Sequence, residues 1–77
     1  MDRFFAKLRI SEMIGRYSPG TRVSVFDVEG VPDGTVCTVE FVDEMGFLFI
    51  ETPEGFKNIR LSPADENSRF VRYENVS

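Results

Sequence analysis

From Thr21 onward the apolar residues recur at every second position, in short runs that each end in a turn carrying glycine or proline. A period of two sends alternate side chains to opposite faces of a strand. Residues 21–28, TRVSVFDV, set Val23 and Val25 against Arg22 and Ser24. The loop EGVPDG follows, and residues 35–42, TVCTVEFV, predict a second strand. DEMG is a tight turn with Gly46 at the position that takes a left-handed backbone. Residues 47–52, FLFIET, predict a third strand, and TPEG a turn with Pro53 second and Gly55 last. Residues 56–61, FKNIRL, predict a fourth. Ser62 suits a helix N-cap, Pro63 the first helical position, and Asp65 and Glu66 the positive end of a helix. One helical or 3₁₀ turn is therefore expected before a last strand in residues 69–74, RFVRYE.

The start of the chain has a different rhythm. Residues 2–16 hold few turn formers and stop at Gly15, ahead of the loop Ser18-Pro19-Gly20. At 100° per residue the apolar side chains form two stripes, Phe4, Phe5 and Leu8 on one and Ala6, Ile10, Met13 and Tyr17 on the other. One stripe is enough to rest on a small barrel, and the second offers wider burial or a dimer surface. The fold class is therefore mainly β: a small five-stranded SH3-like barrel over residues 21–77, an α-helix over 1–17 packed on it, and a 3₁₀-like turn before the last strand. With 77 residues there is one domain, marginal in the surface it can bury.

Several classes of chemistry lack their residues. There is no histidine, the commonest general base and transition-metal ligand, and one cysteine, Cys37, makes no internal disulfide. No metal or cofactor is expected, since no phosphate-binding glycine loop, dinucleotide fingerprint or calcium loop is present. A lone thiol and the lack of a long apolar run or signal sequence point to a cytoplasmic protein. Asp43-Glu44 and Asp65-Glu66 are adjacent carboxylates, but acid–base pairs need a cleft between them and a raised pKa on one. The chain reads as non-enzymatic.

Charge is where the sequence is most unusual. Between Arg22 and Lys57 stand eight acids, Asp27, Glu29, Asp33, Glu40, Asp43, Glu44, Glu51 and Glu54, and no base. The overall charge of −4 argues against a simple nucleic-acid binder, which needs a basic footprint to displace counterions. Folding the DEMG turn symmetrically sets Val42 opposite Phe47, Glu40 opposite Phe49 and Thr38 opposite Glu51. Cys37, Val39, Phe41, Leu48 and Ile50 then face the core, and Glu40, Glu51, Phe47 and Phe49 share the outer face. A bulge at Gly46 would shift this pairing. Two arrangements follow. The helix lies over this face, with Phe4, Phe5 and Leu8 on the phenylalanines and Arg9, Arg16 or Arg60 at the carboxylates; or part of the face stays open as an acidic, aromatic docking surface. A second acidic site is the loop of Asp27, Glu29 and Asp33. In SH3 domains the equivalent loop pairs with an arginine of a proline-rich ligand, but here no Trp lines a groove, and a solvated loop is expected. Cys37, on a strand without a basic neighbour, is expected in the core.

The run RYSPGTRV, then PDGTVCTVEFVDEMGFLFI, then a Gly-ended turn is similar to a family of short proteins of unknown function found in phages and mobile elements. That family runs R-Y-P-x-G-T-R-V, P-x-G-T-x-G-T-V and a D-D-x-G turn. The resemblance spans residues 16–73; Cys37 stands where the family has glycine, and TPEG replaces a W-D-N-G turn. It implies a barrel and a mobile-element origin, and no reaction.

The function expected is a small acidic protein-interaction module that engages a basic surface of another protein, one form being an inhibitor presenting carboxylates to a host nuclease where phosphates would lie. Its partner-binding residues are Asp27, Glu29, Asp33, Glu40, Asp43, Glu44, Phe47, Phe49, Glu51 and Glu54. The alternatives are a nucleic-acid-binding barrel using Arg3, Lys7, Arg16, Arg69 and Arg72, and a structural subunit dimerising through Phe4 and Met13 of the helix.

Overall fold

The computed structural model describes the backbone of residues 3–55 and 58–73 and the side chains of residues 7–55 and 59–73. Helix α1 spans Arg3–Arg16, and the strands are β1 (Arg22–Val25), β2 (Thr35–Val42), β3 (Leu48–Glu51), β4 (Asn58–Leu61) and β5 (Phe70–Arg72), with a 3₁₀ turn at Pro63–Asp65 between the last two. All five strands join one antiparallel sheet in the order β4-β3-β2-β1-β5, curled into a half-barrel. This is the expected class: mainly β, five short strands, one N-terminal helix, and a 3₁₀ turn before β5. No described helix is long and apolar enough to cross a membrane.

Alternation builds the core. Val23 and Val25 of β1, Cys37 and Val39 of β2, Leu48 and Ile50 of β3, Leu61 of β4 and Phe70 of β5 are all within 1% of complete burial. Helix α1 adds Met13, and Tyr17, directly after the helix, meets Phe70 edge-on with ring centroids 5.6 Å apart. Of the two apolar stripes, the one that reaches the core is that of Met13 and Tyr17. The buried stripe contains Ile10, Met13 and Tyr17, spaced i, i+3, i+7 and so aligned on one narrow arc, while Leu8 stays 45% exposed. The side chains of Phe4 and Phe5 lie outside the described residues. Met13 is 2% exposed and is not available to a partner, which removes it from a dimer surface.

Two local devices fix the chain path at the top of the sheet. The Ser62 hydroxyl accepts from the Ala64 N–H while Asp65 accepts from the Ser62 N–H, a capping box that starts the 3₁₀ turn. Gly46 adopts φ +88°, and a Cβ there would stand 3.4 Å from both Ile10 and Pro63. Glycine is favoured here by the left-handed backbone, since the two side-chain contacts alone leave room for a methyl group. Gly46→Ala is expected to cost about 1–2 kcal/mol from the left-handed backbone alone. A urea titration checks this; an unchanged midpoint would contradict it.

Candidate functional site

The hairpin that carries the acids does not fold symmetrically. Thr38 opposes Glu51 as expected, but Val39 opposes Ile50, Phe41 opposes Phe49 and Val42 opposes Leu48. The extra residue is Glu40, so the bulge lies within β2 and not at Gly46. In a bulge two residues oppose one, and the alternation slips by a position beyond it. Phe41 is consequently 45% exposed, not in the core, and Val42 packs against the core in its place. Phe41 lies flat on Phe49, centroids 4.5 Å apart and planes 11° from parallel. Phe49 opposes Arg60 of β4, whose guanidinium sits 4.8 Å above the Phe47 ring. The outer face of β2, β3 and β4 is thus a row of stacked rings closed at one side by Arg60, with exposed Glu40 and Glu51 on β2 and β3.

Of the three bases expected at the carboxylates, Arg60 lies on this face, over Phe47 and in no ion pair, and the other two are engaged elsewhere. Arg9 donates to the Pro63 carbonyl (3.3 Å), and Arg16 pairs with Glu66 at 2.7 Å. From Ile10 to Tyr17 the helix packs at the 3₁₀ turn and the core, so this stretch does not cover the acidic face. Among the described residues the ion pairs are Arg16–Glu66 and Arg69–Asp65, and neither includes any of the eight acids between Arg22 and Lys57.

Those eight acids do different work. The Asp43 carboxylate accepts from the N–H groups of Met45 and Phe47, both at 2.9 Å, and organises its own turn. The Asp33 carboxylate accepts from the Asp27 N–H at 2.9 Å, and Arg69 donates to the Asp27 carbonyl. Asp27 sits at φ +54°, and the Asp33 carboxylate ties the two ends of the 26–34 loop together. The carboxylates of Asp33 and Asp43 are therefore turn-building, whereas Asp27 contributes its backbone N–H and carbonyl and its side chain stays exposed. Glu29, Glu40, Glu44, Glu51 and Glu54 are exposed; Glu29 is in the 26–34 loop, Glu54 lies in the β3–β4 turn, and the others lie on or beside the β2–β3 hairpin.

Just after the 3₁₀ turn lies a contact no local pattern announces. The Tyr17 phenol donates to Glu66, which also receives Arg16. Burial, then the bond to Glu66, pushes the phenol up to about 12. Burial acts against the Glu66 carboxylate, yet the Tyr17 phenol and the Arg16 guanidinium outweigh it and hold the group below the usual carboxylate range. Cys37 is buried as expected; burial, then the charge of Glu54, pushes its thiol up. Compared with protein-family models, curated proteins and solved structures, the chain matches none.

Proposed function

We propose that the protein is a small non-enzymatic interaction module, of phage or mobile-element origin, that engages a basic surface of another protein through the outer face of β2–β3 and its turn. The observation that carries this reading is the run of unpaired acids. Both ion pairs among the described residues, Arg16–Glu66 and Arg69–Asp65, take acids outside the run between Arg22 and Lys57, so all eight acids of that run, like Lys7, Arg22 and Arg72, join none. Unpaired carboxylates around exposed aromatic rings suit a cationic partner, steering its approach while the rings supply contact area. The compartment that fits is cytoplasmic, and an inhibitor that fills the nucleic-acid groove of a host protein is one concrete form.

One observation favours nucleic-acid binding instead. Arg22 and Arg72, with Tyr73, Gly20 and Thr21, line an open depression of about 420 Å³ at the start of β1. Arg16 and Arg69, two of the bases that reading needs, are held by Glu66 and Asp65. Retention on an anion exchanger with none on heparin at physiological salt is the expected result. Heparin retention at that salt would favour the second reading.

A further inference from the structure

We propose that the anchor of the partner is an arginine, stacked on Phe41 and held at its edge by Glu40. This rests on the acidic-face reading and names the group that face takes. The bulge delivers Glu40 and Phe41 as consecutive exposed side chains on the outside of β2. Phe41 has one ring face against Phe49, and nearly half of its surface is in solvent. The adjoining turn adds Met45, 63% exposed, and Glu44, also exposed. This is apolar surface rimmed by carboxylates that no described base neutralises.

The same face already holds one guanidinium by stacking. The row runs Phe41, Phe49, Arg60, with Arg60 over Phe47. Its β4 side ends in a cation; its β2 side ends in Phe41 without one among the described residues. A guanidinium is planar and weakly hydrated, so it lies on a ring while its edge donates to a carboxylate. A lysine ammonium is compact and strongly hydrated, and gains less from the ring. The surface therefore selects arginine over lysine, and a protein segment over nucleic acid, whose phosphates the eight acids repel.

The test titrates the full chain into fluorescently labelled nine-residue arginine and lysine homopeptides at low salt, read by anisotropy. Phe41→Leu keeps an apolar side chain at an exposed position, and Glu40→Gln removes one charge; circular dichroism checks both folds. The arginine peptide is expected to bind about threefold to fivefold tighter, the ratio that stacking at an exposed ring supports. Phe41→Leu should bring that ratio close to one by weakening only the arginine peptide, and Glu40→Gln should weaken both. Equal affinity of the two peptides, or a preference that survives Phe41→Leu, overturns the arginine anchor and leaves the acidic-face reading standing. No binding of either peptide overturns both.

Discussion

Tyr17→Ala is expected to remove about 3–5 kcal/mol of stability, the usual cost of deleting a large buried aromatic. A chain of this length has a total of about 4–12 kcal/mol to lose, so the variant is expected to lose a large share of its stability and to unfold at a much lower denaturant concentration. The size of the effect follows from three roles in one side chain. Tyr17 is 1% exposed, it meets Phe70 edge-on, and its phenol donates to Glu66. Tyr17→Phe isolates the last role. It keeps the ring and leaves Glu66 one donor short, at a cost of about 1–2 kcal/mol.

Titration separates these roles further. The folded phenol lies above its ordinary 10, at about 12. Its contribution is thus complete below pH 10 and is lost as pH rises toward 12. The Glu66 carboxylate lies below its ordinary 4.5, so its contribution is present above that value and is lost as pH falls through the folded pKa. Denaturant midpoints across pH should fall at both ends in the native chain. Tyr17→Phe should remove the alkaline loss between pH 10 and 12. A wild-type stability for Tyr17→Ala would mean that the helix is not part of the cooperative unit.

The second large effect is on binding. Reversing Glu40 and Glu51 together to lysine is expected to weaken capture of a basic partner at least about tenfold, since like charges across an interface cost several kcal/mol. Stability should change by no more than about 0.5 kcal/mol per site, because both side chains are exposed and neither joins an ion pair among the described residues. A matching loss of stability would instead mark the two acids as structural.

Much of this fold is legible in the residues, and the exceptions have physical causes. Several turns are announced by their own chemistry: Gly46 and Gly55 take positive φ, and Ser62 caps the 3₁₀ turn as expected, with Asp65 completing a capping box. The register of the main hairpin is not legible, because VEFV offers two solutions. Strict alternation buries Val39 and Phe41; a bulge at Glu40 buries Val39 and packs Val42 against the core instead. Apolar residues at both 41 and 42 hide the choice, and it is the bulge that turns Phe41 into surface. The helix stripe was ambiguous for a similar reason: both candidate stripes are apolar, and only the placement of Phe70 and Glu66 selects Met13 and Tyr17. The charge gap was visible at once, but not that Asp33 and Asp43 serve their own turns. Nor could spacing show that Arg16 would find Glu66, fifty positions away.

The most direct measurement of the acidic face is affinity capture from nuclease-treated host lysate, with the tagged chain and its Glu40→Lys/Glu51→Lys variant side by side and a salt series on each. The expected result is a basic protein retained by the native chain after nuclease, released as salt rises and absent from the variant. Recovery of the same material by both baits, or of nucleic acid alone, would contradict a functional role for the acidic face.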